Sequence, residues 1–120
     1  MSNEYSGSRA NKAPPGPHMY PGRYAAQVVL SANLTLTKRD AQVHALDPNG
    51  ARDVVLPTVT AADHGYFQRI ANWAGGAENI TVKDAAGNAI GTVSRQEEGE
   101  FYVDSAGAWQ LHGIYTYANA

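Results

Sequence analysis

Turn-forming residues recur about every ten residues from Tyr24 onward, and this spacing constrains the fold more than any other feature of the sequence. Between the turns lie short segments rich in β-branched and aromatic residues, several of which alternate apolar and polar side chains. No segment carries a sustained apolar stripe with the 3.6-residue period of a helix. Regular short strands of this kind are typical of a small sandwich or barrel. We therefore predict an all-β fold, a small β-sandwich or β-barrel-like domain of about eight short antiparallel strands.

The predicted strands are the runs that these turns enclose. They are residues 26–30, 34–37, 42–46, 52–56, 66–72, 79–83, 89–93, 100–104 and 108–112 with an extension over 114–117. The connection 58–65 is long enough for one helical turn, and Gly91 inside a strand predicts a bulge or a close backbone approach. The side chains that alternation points toward the core are Ile80, Val82, Phe101, Val103, Trp109 and Leu111.

The strongest local signal is the tetrapeptide Asp47-Pro-Asn-Gly50 between two β-prone runs. Asp and Asn favour turns through their short polar side chains, and glycine accepts the positive φ that tight turns require. We therefore predict a β-hairpin over residues 42–56.

The first 23 residues differ from the rest and are predicted to form an extended N-terminal arm, followed by a β-domain over residues 24–120. Four of the six prolines fall in this arm. It has three basic residues and one acid, whereas the β-domain has six and ten. Two interpretations are open, an unstructured tail or a segment that orders on a partner. Large side chains beside prolines favour the second, and the predicted binding residues are Pro14, Pro15, Pro17, Met19, Tyr20 and Tyr24.

Several classes of protein are excluded by composition. The chain has no cysteine, so disulfides, thiolate metal sites and cysteine nucleophiles are all absent. A net charge of −2 gives no general attraction to nucleic acid or to anionic membranes. No apolar run approaches the roughly 20 residues of a membrane helix, and the polar N-terminus lacks the pattern of a signal peptide. We expect a protein folded in a cytoplasm, with no nucleic-acid or membrane partner.

Residues that could support catalysis do not form a recognisable motif. The sequence lacks the patterns of a nucleophile elbow, a phosphate-binding loop or a metal site. His44, His64 and His112 could meet in space, but His44 and His112 fall on polar positions of alternating strands and are predicted to be surface or interface residues. The acidic cluster at residues 97–100 is predicted to be a solvated strand entry that discourages edge-to-edge pairing. We predict that the protein is not an enzyme and that it binds no cofactor and no small-molecule substrate.

The stretch from Val43 to Trp109 resembles a β-domain that recurs in virion proteins of tailed phages, including head decoration proteins and head or tail fibres. The segments that carry the likeness are residues 53–57, 65–72, 80–84, 87–90, 101–104 and 107–109. Their order and spacing, rather than any one segment, make the resemblance. It implies a β-rich homotrimer that binds a capsid lattice or builds a fibre, without catalytic residues.

A short chain with a proline-rich arm and no internal repeat is more similar to a decoration (cement) protein than to a fibre. The resemblance then implies a homotrimer on the capsid surface of the virion, assembled in the host cytoplasm, whose partner is the major capsid protein. The predicted trimer or core residues are Phe67, Ile70, Trp73, Phe101 and Trp109. The alternatives are a head- or tail-fibre or tail-tip module and a carbohydrate-binding β-domain. The stacking platforms of the latter would be Trp73, Tyr102, Trp109 and Tyr115.

Overall fold

The computed structural model describes residues 28–117, which form nine strands in two sheets and one short 3₁₀ helix. The elements are β1 Val28–Val29, β2 Leu34–Thr35, β3 Val43–Asp47, β4 Arg52–Val55, the 3₁₀ helix Ala61–Asp63, β5 Phe67–Asn72, β6 Ile80–Lys83, β7 Ala89–Val93, β8 Glu97–Val103 and β9 Trp109–Thr116. The predicted arm, with Pro14, Pro15, Pro17, Met19, Tyr20 and also Tyr24, lies outside the described residues. No helix within residues 28–117 is long and apolar enough to cross a membrane.

Successive strands from β1 to β6 alternate between the two sheets. In the five-stranded sheet β1, β3 and β5 are parallel neighbours, and in the four-stranded sheet β2, β4 and β6 are parallel neighbours. The chain therefore winds through three stacked coils, each with one strand in either sheet. We call these six strands the parallel stack.

The last three strands close the structure in antiparallel fashion. β7 folds back on β6 to complete the four-stranded sheet, and β8 and β9 extend the five-stranded sheet beyond β5. A register shift between the pairs Val82–Gly91 and Lys83–Ala89 interrupts the β6–β7 ladder, so the bulge predicted at Gly91 is confirmed, with Ile90 beside it as the extra residue. We call β7, β8 and β9 the antiparallel part.

The prediction of an all-β domain is confirmed, but the prediction that its strands are all antiparallel is wrong. The predicted hairpin at residues 42–56 is also wrong, because β3 and β4 belong to different sheets. The turn itself forms as its residues indicate: Asn49 and Gly50 have φ of 51° and 122°, and the Asn49 N–H donates to the Asp47 carboxylate at 3.0 Å. Turn chemistry fixes where the chain changes direction and leaves open which strand the next segment pairs with.

The core lies between the two sheets and is made of aliphatic and aromatic side chains from both. Its members are Leu30, Leu36, Leu46, Val54, Leu56, Ile70, Ile80, Val82, Val93, Phe101, Val103 and Trp109. Five of the six side chains predicted to point inward are therefore confirmed. Leu111 is the exception at 40% exposed, because β9 carries an extra residue, His112, between the pairs Phe101–Leu111 and Glu100–Gly113. This bulge lies at the edge of the sheet, where Leu111 is only partly covered.

Two turns of the antiparallel part share one hydrogen-bonding pattern. In the β6–β7 turn, Asp84 Oδ1 accepts from the N–H groups of Ala86 and Asn88 at 3.0 and 2.8 Å. In the β8–β9 turn, Asp104 Oδ1 accepts in the same way from Ala106 and Ala108 at 2.9 and 3.0 Å. Each turn also holds a glycine with positive φ, Gly87 or Gly107, as the sequence Asp-x-Ala-Gly-x requires. The side-chain amide of Asn88, followed by the backbone donors, lowers the pKa of Asp84. The backbone N–H of Ala108, followed by the Gln110 side chain, lowers the pKa of Asp104.

Candidate interaction face

The side of the five-stranded sheet that faces away from the core carries a mixed aromatic and charged surface. Because Gln68 and Ile70 of β5 are fully buried, the intervening Arg69 and the preceding Phe67 point outward. The same alternation places Glu98, Glu100 and Tyr102 of β8 on that side, and Tyr115 of β9 pairs with Glu98. We call this surface the outer face, with members Phe67, Arg69, Glu98, Glu100, Tyr102, His112 and Tyr115.

Arg69 occupies the centre of the outer face and interacts with two carboxylates of the neighbouring strand. Its Nε lies 3.2 Å from Glu98 Oε2, and its Nη2 contacts Glu100 Oε2. The planar guanidinium can reach both carboxylates because it presents donors in two directions. The Arg69 side chain is 40% exposed, so each pair contributes at most about 1 kcal/mol to stability. The main effect is to fix the charge pattern of this face, with one negative charge left over.

The acidic cluster is therefore more constrained than a solvated strand entry. Glu97, Glu98 and Glu100 are all partly buried. The Glu97 carboxylate accepts the Ser94 N–H at 2.9 Å and caps the turn before β8, while Glu98 and Glu100 bind Arg69. These carboxylates hold local structure together.

Three rings lie at one end of the outer face. Phe67 is directly opposite Tyr102, and the Tyr102 ring meets the His112 ring edge-on with centroids 5.9 Å apart. With the Arg69–Glu100 pair they enclose a shallow cavity of about 240 Å³. It is lined by Phe67, Arg69, Glu100, Phe101, Tyr102 and His112. Aromatic walls beside a charged pair suit a ligand with both apolar and hydrogen-bonding groups.

A second aromatic pair marks the opposite end of β5. The exposed Trp73 ring packs against Tyr117 with centroids 5.1 Å apart, and the Tyr117 hydroxyl donates to the Asn72 carbonyl. Burial raises the pKa of Tyr117, and the negative charge of Glu98 adds to this. The pair fastens the residue that follows β9 to the end of β5.

The five predicted trimer or core residues divide into two groups. Ile70, Phe101 and Trp109 lie in the core, whereas Phe67 and Trp73 are exposed. Trp109 is 5% exposed and its indole N–H donates to the Pro57 carbonyl at 2.8 Å, so it is not available as a sugar-stacking platform. Tyr102, Tyr115 and Trp73 keep accessible ring surface.

The surface position predicted for His44 is wrong. This histidine is 6% exposed between the sheets, with Nε2 at 2.6 Å from the Ala41 carbonyl oxygen. Desolvation by burial lowers the pKa of His44, and its hydrogen bonds raise that pKa by a smaller amount. His112 is exposed on the outer face, and His64 is exposed after the 3₁₀ helix. The three histidines lie in different surroundings.

Two buried polar residues of β5 and the central Arg69 were not singled out from sequence. Asn72 is fully buried: its Nδ2 donates to the carbonyls of Glu78 and Val93, both at 2.9 Å, and its Oδ1 accepts the Ala74 N–H. Gln68 donates to the Tyr66 hydroxyl at 2.8 Å. A detectable signal existed, because Gln68 and Asn72 share the inward phase of Ile70. The contacts of Arg69 cannot be predicted from the sequence, because they result from the pairing of β5 with β8.

Within residues 28–117, no three His, Asp or Glu side chains converge on a site that could hold a metal ion. Comparisons of the chain with protein-family models, curated protein sequences and solved structures give no significant match.

Proposed function

We propose that this protein is a structural component of a tailed-phage virion, a decoration protein that binds the outside of the capsid as a homotrimer. Its partner is the major capsid protein, and its role is to stabilise the head lattice. The mechanism is binding alone. The proposal rests on the resemblance of residues 43–109 and on how apolar surface is distributed over the two sheets.

The observation that carries the proposal is an asymmetry between the sheets. Six large hydrophobic side chains within residues 28–117 are between 39% and 62% exposed. All belong to the five-stranded sheet or directly follow β5; they are Val28, Val29, Phe67, Trp73, Leu111 and Tyr115. Concentration of exposed apolar side chains on one sheet supports a contact role for that sheet.

A trimer would give each copy's weak contacts a collective effect. Three linked binding sites raise overall avidity by ~10²–10⁴ relative to one site. The predicted arm residues, Pro14, Pro15, Pro17, Met19, Tyr20 and Tyr24, would supply one contact per copy. Proline-stiffened chain loses less conformational entropy on docking than flexible chain does.

The direct test is co-sedimentation of the protein with expanded, undecorated heads. Full-length trimer should pellet with heads, and a variant lacking residues 1–23 should remain folded and trimeric but bind much more weakly. Equal binding by both proteins would move the capsid contact to the β-domain. Failure of the full-length protein to bind heads from the phage that encodes it would overturn the decoration proposal.

A fibre or tail-tip module is a second candidate, favoured by the parallel stack. Coils that repeat along one axis can in principle be extended by further coils, as in fibrous β-solenoids. Copy number per particle separates the two functions. Mass measurement of purified virions should give hundreds of copies for a decoration protein and a few dozen or fewer for a fibre.

A carbohydrate-binding domain is a third candidate, favoured by the cavity beside Phe67, Tyr102 and His112. Ring faces next to a charged pair are suitable for stacking and hydrogen bonding to a sugar. A glycan array separates this candidate from the other two. Binding that is lost in Tyr102→Ala would support it, and a blank array would exclude the sugars tested.

A further inference from the structure

We propose that neighbouring copies of this chain join edge to edge through the five-stranded sheet, with β9 of one copy beside β1 of the next. This inference rests on the proposed homotrimer and names its interface. In a closed trimer each copy would contribute one β1 edge and one β9 edge, so three identical joints would form.

The strands at the sheet edges differ in how well they could template another strand. Among the described strands, the two sheets end at β1, β9, β2 and β7. β9 is the longest of all at eight residues, with uninterrupted runs on both sides of its bulge. Natural proteins usually protect a long edge strand with charges or proline. Residues 109–116, Trp-Gln-Leu-His-Gly-Ile-Tyr-Thr, contain no Asp, Glu, Lys, Arg or proline, and their one basic side chain is His112.

Exposed apolar side chains are concentrated at both edges of this sheet. Val28 and Val29 form β1, while Leu111 and Tyr115 lie in β9, so four of the six exposed large hydrophobic side chains are at the two edges. Leu111 pairs with the inward-pointing Phe101, and Tyr115 pairs with the outward-pointing Glu98. Apolar surface therefore flanks β9 on both faces, and a strand laid along it would cover both sides.

The charge of the two edge strands is compatible with a second copy of this chain as the partner that pairs with them. β1 itself carries no charge, since residues 28–37 contain no Asp, Glu, Lys or Arg, and the carboxylate beside it belongs to Asp47 of β3, the register partner of Val29. The two strands themselves can approach without like-charge repulsion, because the carboxylates of Asp47 and Glu98 lie one strand further into each sheet. A partner of different sequence attracted by charge would find no complementary group on either strand.

Strand direction makes a closed ring possible. β1, β3 and β5 are parallel, and two antiparallel steps through β8 return β9 to the same direction. A three-fold axis along the strands preserves strand direction, so β9 would meet the β1 of its neighbour in parallel orientation. A head-to-tail contact of this kind closes when its rotation divides the circle evenly. Pairing β9 with β9 about a two-fold axis would leave the valines of β1 uncovered.

Charge substitution at the two edges tests the proposal. The variant V29K/Y115K places like charges at each joint, and V29K/Y115E places opposite charges there. Light scattering at micromolar concentration and low salt should give an about threefold fall in mass for V29K/Y115K and an unchanged mass for V29K/Y115E. The control T92K adds a charge at an exposed position of β7 in the other sheet and should remain trimeric. Far-UV circular dichroism checks that each variant is folded.

Cross-linking provides a second measurement on near-native protein. Because the natural chain has no cysteine, V29C/Y115C introduces the only two thiols. Within one copy these positions are four strand spacings apart, about 19 Å, so a bismaleimide spanning about half that distance links only different copies. We expect covalent trimers from V29C/Y115C and no cross-linking from either single variant. Dimers from Y115C alone would show the two-fold arrangement and overturn the proposal.

The outcomes separate this inference from the proposed function. If both charge variants stay trimeric, or if V29K/Y115E dissociates as V29K/Y115K does, the β1–β9 joint is wrong while the trimer stands. If the unmodified protein is monomeric at micromolar concentration, the trimer and the joint fail together. Capsid co-sedimentation by a monomeric V29K/Y115K would show that head binding does not depend on the joint.

Discussion

The parallel stack and the antiparallel part are built from similar short alternating strands, yet different physical terms hold them together. In the antiparallel part, five-residue turns place β6 beside β7 and β8 beside β9, so local hydrogen bonds specify the pairing. In the parallel stack, Val28 pairs with Leu46 and Val54 with Val82, across long intervening segments. Parallel pairing requires a crossover, and here the crossover is the other sheet. Local chemistry therefore specifies the β6–β7 and β8–β9 pairs, whereas the parallel pairs and the β5–β8 pair depend on the shared core.

Besides the β5–β8 and β6–β7 strand pairs, the two parts meet where the β8–β9 turn touches the connection before β5. A Cβ added to Gly107 would lie 2.5 Å from the backbone nitrogen of Ala61, whereas one added to Gly87 in the equivalent β6–β7 turn would meet nothing within 4 Å. Both glycines have positive φ. The same local turn is therefore free in one place and packed against backbone in the other.

The largest effect that we predict uses this contrast. Gly107→Ala should lower the free energy of unfolding by about 3 to 5 kcal/mol, since it adds a backbone clash to the cost of positive φ. Gly87→Ala, the matched control, should cost about 1 to 2 kcal/mol from φ alone. Urea denaturation of both variants measures the difference. Equal losses would show that the contact between the two parts contributes little to stability.

A second substitution removes the polar link between the parts. Asn72→Ala leaves the carbonyls of Glu78 and Val93 without their side-chain donor and should cost about 2 to 3 kcal/mol. The exposed Asn79→Ala should change stability by less than about 0.5 kcal/mol. Hydrogen exchange should show lost protection at residues 74–80 and in β7. Lost protection confined to β1 and β2 instead would argue against this role.

The third prediction uses pH to examine the parallel stack, where His44 is buried. Its folded-state pKa lies below the usual 6.5, so the unfolded chain takes up a proton first as pH falls. Stability should be constant above about pH 6.5 and decrease below it, with a slope of at most about 1.4 kcal/mol per pH unit. His44→Leu should remove this slope and the exposed His112→Leu should keep it, as measured by chemical denaturation at several pH values. An unchanged slope in His44→Leu would assign the effect to another group.

The smallest effect concerns the two aspartate turns of the antiparallel part. The pKa values of Asp84 and Asp104 are below the usual 3.8, so their contribution is present at neutral pH and is lost as pH falls through the acidic range. Asp84→Asn and Asp104→Asn should each lower the melting temperature slightly at pH 7 and reduce its decrease between about pH 5 and 3. If acid lowers the melting temperature of the variants as much as it lowers that of the unmodified protein, the turns are not the acid-sensitive element.

The difference between the two parts also explains which predictions from sequence succeeded. The β6–β7 and β8–β9 turns and the inward side chains Ile80, Val82, Phe101 and Val103 follow from local patterns, and all are confirmed. The hairpin at residues 42–56 failed although its turn formed, because β3 and β4 bury their apolar sides from opposite sheets. The outer face was only partly foreseen, since the Arg69 contacts depend on the β5–β8 register.

What the sequence determined by itself was the set of strands, the turns and most of the side chains that face the core, because alternation and turn chemistry act over a few residues. Only the tertiary structure decided which strands pair, that β1 to β6 form a parallel stack, and that His44 is buried while Leu111 is not. Backbone hydrogen bonds between strands are nearly independent of side-chain identity. The choice of partner strand therefore depends on how distant apolar faces fill one core.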